Sequence, residues 1–418
     1  MCKIFIYLLF VSSLIIPTSL FATNGSVLIG IGAKSRAMGG TGIGISHGAD
    51  SALVNPSLIV YVNNNQISLG GTLFMPEVSN SMGQVGFMSA YKDGLADKSV
   101  IPSVSFSTKI DDNFYLGLGM WGTAGMGVDY RNSVNNFNMV TNLQIMQFGV
   151  PLAYKIDNLS IGITPLVQYG SLDVSYNGVL DTSLVGPATT EIGHDEGVSQ
   201  DLAIGYNIGV SYRINSMTIG LSYKSKIDMV YDGQLSGAST DFASFGLFGG
   251  NRLGDEISTP AEIGIGVSYK YKYHTIAVDI KQIKWSDAKG YEDFKWEDQN
   301  VFALGYEFLK DIWALRVGYN YGSSPINEQN TNTIDATASA INMFNLLGFP
   351  AIVESHFTIG GAYMFSKEAS LDFAYVYAPE VTNTYSIKQF SAFGGTNPTQ
   401  LETKHSQSSL SVGLKYNF

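Results

Sequence analysis

The chain has one cysteine, Cys2, and it stands ahead of the first apolar run. The remainder therefore has no thiol to pair, to ligate a metal or to act as a nucleophile. That placement also argues against a lipoprotein signal, whose cysteine follows the run. Charge is scarce as well. Only 14% of residues are charged, and the net charge of -11 leaves no basic stripe for nucleic acid. Long apolar runs are missing: no segment offers the roughly 18 consecutive apolar residues of a membrane-spanning helix. No Pro/Ser-rich linker or charge block divides the chain, so one large closed sheet is the simpler reading than several domains.

Signatures of catalysis are equally thin. Of five histidines, His194 sits beside Asp195 and Glu196 in a loop, with no second histidine at metal-ligand spacing. No Gly-x-Ser-x-Gly elbow occurs, and the glycines at 30 and 32 lack the strand and helix of a nucleotide site. The expectation is a non-enzyme without metal or cofactor.

What is present points to a membrane. Residues 1–22 carry Lys3, an uncharged apolar run over 4–16, then Pro17, Thr18, Ser19 and a small-residue cleavage point after Ala22, the pattern of a secretory signal peptide. A mature chain without spanning helices can cross lipid only as a closed barrel, because only helices and barrels pair every backbone polar group there. The carboxy terminus agrees. Leu410, Val412, Leu414, Tyr416 and Phe418 alternate with Ser411, Gly413, Lys415 and Asn417. Strict period-two alternation gives a strand one apolar and one wet face, as in a wall between lipid and lumen. The 46 glycines and 24 tyrosines suit small lumen-facing positions and aromatic girdles.

Along the chain, short turns fall at 111–113, 155–158, 215–216, 271–273, 309–311 and 366–369. Long connections fall at about 75–100, 129–142, 176–200, 231–258, 285–295, 322–354 and 380–403. Six short turns and seven long loops predict fourteen strands with both termini on the short-turn side. Faces can be assigned from alternation: Leu202, Ile204, Tyr206, Ile208, Val210 and Tyr212 outward, and likewise Ile263 to Tyr269 and Trp313 to Tyr321 at every second residue. A soluble antiparallel sandwich, which also has one buried face, is the alternative. Before the first strand, residues 25–48 hold eight glycines without alternation, and Asn55-Pro56 reads as a helix start. Such a segment can fold inside the lumen.

These residues resemble the FadL/TodX family of outer-membrane transporters of long-chain fatty acids and hydrocarbons. The resemblance covers essentially the whole mature chain. Its strongest part is the stretch 32–42, with Gly39 and Gly40, followed by Asp50-Ser51-Ala52 and Asn55-Pro56-Ser57, similar to the family's hatch with its Asn-Pro-Ala motif; Ser57 stands for the usual alanine. Weaker matches follow in order at 117–130, 260–264, 315–325 and 358–363.

The resemblance implies an all-β, fourteen-stranded antiparallel transmembrane barrel (65–418) with an N-terminal hatch (23–64) as lumen plug. It implies passive transport of an apolar small molecule: capture in a groove between extracellular loops, binding in the lumen, hatch movement, and lateral exit into outer-membrane lipid through a kinked third strand. That strand here contains Gly119, Gly122 and Gly125, which weaken pairing and permit bulges. A monomer is expected, with Tyr416 and Phe418 addressing the barrel-assembly machinery.

Groove candidates are Phe242, Phe245, Leu247 and Phe248 in one loop, and Met343, Phe344, Leu346, Leu347 and Phe349 in another. Exposed apolar runs of that size mark an interaction surface; the plain alternative is loops packing on each other as a lid. For a head-group anchor, Arg316 is the foremost lumen-facing cation and Arg131 a second, with Arg213, Lys224 and Lys270 behind them. The alternative for Arg316 is a salt bridge to Asp279 or Asp372. A structural, adhesive or phage-receptor barrel would need neither hatch nor apolar loops, and an outer-membrane lipase, the remaining alternative, would need a Gly-x-Ser-x-Gly elbow. If the barrel reading holds, the purified protein will run faster on a gel unheated than boiled, and its circular dichroism will be that of strands, not helices.

Overall fold

The computed structural model describes residues 23–418 apart from 63, 334 and 335; the expected signal peptide lies outside the described residues. Fourteen strands form the wall: β1 (Asn65–Gln84), β2 (Ser99–Lys109), β3 (Phe114–Asp129), β4 (Val140–Gly149, resumed as Leu152–Ile156), β5 (Leu159–Asp181), β6 (Ser199–Ile214) and β7 (Met217–Lys224). The second half comprises β8 (Glu262–Tyr271), β9 (His274–Ile283), β10 (Gln299–Lys310), β11 (Trp313–Gly322), β12 (Ser355–Met364), β13 (Ala369–Ser386) and β14 (Gln400–Asn417). Neighbours in sequence pair antiparallel, and β14 closes on β1 in unbroken register from Asn417↔Gln66 to Gln400↔Gly83. At the seam the Phe418 amide donates to the Asn65 carbonyl at 3.0 Å, and the Phe418 ring stacks between Phe106 and Tyr416. No helix among the described residues is long and apolar enough to cross a membrane.

Alternation sets the faces as expected. Leu202, Ile204, Tyr206, Ile208 and Tyr212 are exposed outside, whereas Asn207, Gly209 and Ser211 are buried within. The long connections after β1, β5 and β13 are shorter than the sequence suggests, because those strands continue past the last clean alternation. β5 reaches Asp181 and turns back as a hairpin with Thr189–Asp195. Beyond lipid neither face has a fixed solvent, so the period-two pattern fades while the backbone ladder persists.

Residues 23–62 lie inside the barrel. They are more ordered than the glycine content implies: two short strands, a helix α1 (Gly32–Ala37) and two 3-10 turns. Asn55 caps the turn Pro56–Tyr61, its Oδ1 accepting the Ser57 amide at 3.2 Å and the Ser57 hydroxyl at 2.6 Å. The serine in place of alanine thus adds a bond. Wall side chains take up the segment's free backbone groups. Thr164 donates to the Ala52 carbonyl, Ser268 to Gly44, Thr358 to Ala37, and Asn320 to Gly39. Asp279 on β9 accepts the amides of Gly42, Ile43 and Gly44 at 2.6, 2.8 and 3.4 Å, so a buried carboxylate is held by a backbone nest. Gly39 adopts a positive φ of 68° with its Cα directly over the β10 and β11 backbones, where a Cβ would meet carbonyls at 2.6 Å.

Replacing Asp279 with alanine removes the acceptor for three buried amides, a loss of about 3 kcal/mol. The expected outcome is an intact, heat-modifiable barrel whose segment 23–62 is cut by protease at least tenfold faster than in the wild type.

Candidate functional site

The third strand departs from regular pairing. Its ladder with β2 ends at Ser103↔Trp121, although β2 continues to Ser99 against β1. One residue on, the register with β4 shifts between Gly122 and Ala124, leaving Thr123 as a bulge. Past the bulge β3 pairs inward: Ala124 faces Val27, and the Gly125 amide donates to the Ser26 carbonyl at 2.9 Å. The inner segment has taken the place of β2 as partner.

Side chains fill the gap this leaves. Trp121 is fully buried, lies across Gly119 and donates from Nε1 to Ser105 Oγ at 2.9 Å. It joins Leu28, Leu53, Phe74 and Ile101 in an apolar cluster between inner segment and wall. A Cβ at Gly122 would lie 2.6 Å from Ile101 Cγ2, so that glycine marks where β2 and β3 come closest without a ladder. Of the expected glycines, Gly119 seats the tryptophan, Gly122 adjoins the gap and Gly125 binds the inner segment.

Behind the bulge lies a cavity of about 60 Å³. Most of its apolar lining comes from the inner segment, including Leu28, Ile31 and Leu53, and it reaches both Thr123 and a charged group on the opposite wall. There Lys224 and Lys281 bind the two oxygens of Glu262 at 3.0 and 2.7 Å. The Thr123 hydroxyl has no protein partner among the described residues. Alternation along β7 to β9 aims all three charged residues inward, so the pattern held them; their convergence depends on register.

At the long-loop end, the groove candidates are not open. Phe242, Leu247, Met343, Phe344, Leu346, Leu347 and Phe349 are buried in one large core, and Phe245 and Phe248 pack partly buried on it. Phe242 meets Phe344 edge-on at 5.5 Å and Phe245 meets Phe393 at 5.2 Å. The expected exposed surface is corrected: the loops close on each other as a lid, because aromatic rings gain more from mutual contact than from water. An aromatic triad that the sequence reading passed over, Trp285, Tyr291 and Trp296, extends this core down to the inner segment, with Tyr291 Oη 3.3 Å from Ser26 Oγ. Loop-to-loop bonds reinforce the lid. Asp181, at the loop tip of β5, accepts from Ser183 and Thr396, which holds its carboxyl below the usual range.

Neither anchor candidate is free. Arg316 is buried and donates to Glu307 at 2.7 Å and Asp372 at 2.6 Å, in a network with Lys34, Lys415 and Asp50 near the short-turn end. Arg131 is exposed and paired with Asp129 at 2.7 Å. Asp279 is committed to the inner segment instead of to Arg316.

Residues 28–418 match the family described as outer membrane protein transport protein (OMPP1/FadL/TodX). The chain is 24% identical to outer membrane protein P1 of Haemophilus influenzae, over 80% of this chain and 81% of that one. It is 23% identical to the long-chain fatty acid transport protein of Escherichia coli K12, over 87% and 90%. Among solved structures, a Pseudomonas aeruginosa FadL homologue superposes with a TM-score of 0.70 at 16% identity, covering 94% of this chain and all of that one. The Pseudomonas putida toluene transporter TodX gives 0.66 at 18%, covering 93% and 99%. The chain therefore belongs to the OMPP1/FadL/TodX family of outer-membrane β-barrel transport proteins.

Proposed function

We propose that the protein, working as a monomer and not as an enzyme, passively carries long-chain fatty acids or related hydrocarbons across the outer membrane. Ligand enters between the apolar loops, occupies the cavity behind β3, displaces residues 23–64 as a hatch, and leaves sideways into lipid between β2 and β3. The observation that carries this reading is the exchange of partner at Trp121: β3 gives up β2 and takes Val27 of the inner segment. Moving that segment leaves the upper part of β3 paired to β4 alone, with its other edge free. A lateral exit keeps an apolar ligand out of water, worth about 25 cal/mol for each square ångström it would otherwise expose. A purely structural or adhesive barrel has no use for such an exchange. The buried lid means that capture begins with the loops parting, so Phe245 and Phe248, only partly covered, are the first contacts.

Sealing the gap tests the route. With Cys2 in the expected leader, a pair Ile101→Cys and Gly122→Cys is the sole thiol pair in the mature chain. Oxidised, it is expected to abolish uptake of labelled oleate or toluene while leaving ligand binding within about twofold, and reduction restores uptake. Uptake that survives complete oxidation refutes lateral exit. Phe245→Ser with Phe248→Ser is expected to slow capture severalfold, measured as the initial rate of labelled ligand association with cells.

A further inference from the structure

The buried and largely buried cations of the lumen each lie against a carboxylate, with a single exception among the described residues. Lys34, Lys224, Lys281, Arg316 and Lys415 each have a carboxylate oxygen within 3.6 Å. Arg36, on α1 of the inner segment, is 1% exposed and has none. Its Nη2 donates to the neutral Ser409 hydroxyl at 2.7 Å, while Nε and Nη1 find no acceptor among the described residues. A guanidinium taken out of water without a counter-charge costs several kcal/mol, so the position calls for an anion.

The surroundings say which kind. Ser409 lies two residues from Gln407 on the inward face of β14, about 7 Å along the strand. Across the sheet Ser409 pairs with Val376, which pairs with Thr358; none of these carries charge. Gln407 links His405 at 3.1 Å to His356 at 3.4 Å, and the other His356 nitrogen is buried without a partner among the described residues. Neutral hydrogen-bonding groups thus flank the cation. Against His405 and Gln407 lies a slot of about 10 Å³ whose other walls include Val78, Met126 and Val353. Val78 and Met126 belong to the apolar core under the lid. His405 and Gln407 form one side of the slot, with Arg36 bound to Ser409 two residues beyond Gln407, and apolar packing continues on the other side, an order that matches a molecule with an anionic head and a hydrocarbon tail.

We propose that Arg36 is the receptor for the carboxylate of an amphiphilic ligand, with His356 and Gln407 beside the head group and the tail parting the slot toward the loop core. The inner segment is then part of the binding site and not only an obstacle in it. This rests on the transport reading, and its test separates the two.

Quenching of tryptophan fluorescence by dibromostearic acid and by the corresponding dibromostearyl alcohol is measured on the detergent-purified barrel, at a pH where the acid is ionised. The wild type is expected to bind acid about tenfold more tightly than alcohol, as a charge-assisted bond to a desolvated guanidinium should give. Arg36→Met should bring the two within about twofold, and Arg36→Lys should keep most of the preference. Ser409→Asp supplies a carboxylate from within the protein. It should erase the preference while raising the melting temperature, and it carries the test if Arg36→Met fails to fold. An acid preference that survives in folded Ser409→Asp or Arg36→Met overturns the proposal. So does equal binding of acid and alcohol by the wild type, which leaves transport of neutral compounds standing. If neither compound binds the wild type, the transport reading falls as well.

Discussion

Lipid supplies no hydrogen bonds, and the whole wall is organised by that fact. Each strand's amides and carbonyls must be met by a neighbour, which forces closure of β14 on β1 and leaves no free edge. The same constraint makes β3 informative. When it parts from β2 above Trp121, its amides cannot be abandoned, and residues 26 and 27 of the inner segment take them up. Opening the wall and holding the inner segment are therefore one act: the backbone groups that would face a gap are those that tether the segment.

The inner segment in turn depends on how closely it can approach the wall. Lumen-facing glycines such as Gly305 and Gly318 let its backbone lie against the strands, and short hydroxyl and amide side chains reach its carbonyls. Polar bonds to backbone are specific yet individually modest, about 1 kcal/mol each net, so the segment is fixed by many small terms. Charge is handled differently at the two levels. Near the short turns, Arg316 and its neighbours balance each other in a closed network. At mid-lumen, Lys224 and Lys281 share one glutamate and Arg36 has no acid at all.

How much of this was legible beforehand follows from the range of each interaction. Period-two alternation reports whether a side chain faces lipid or lumen, a one-dimensional property, so Leu202 to Tyr212 and the terminal strand could be assigned outright. Turn chemistry is also local, hence the strand number and the direction of the chain. Asn55-Pro56 announced a capped turn because capping needs only the next two residues. Arg316 shows the limit. Alternation placed it inward and offered Asp279 or Asp372 as its partner; only the register from β10 through β13 chose Asp372 and added Glu307.

The sequence by itself determined fourteen alternating strands, free of cysteine, with a glycine-rich segment ahead of them, since these depend on composition and short-range periodicity. Only the tertiary structure decided that the phenylalanine-rich loops bury one another, that Trp121 fills the break between β2 and β3, and that Arg36 lacks a counter-charge. Those outcomes depend on which distant residues share a level in the closed barrel. That level is fixed by strand register and by the depth of the inner segment, and neither leaves a mark on any one stretch of chain.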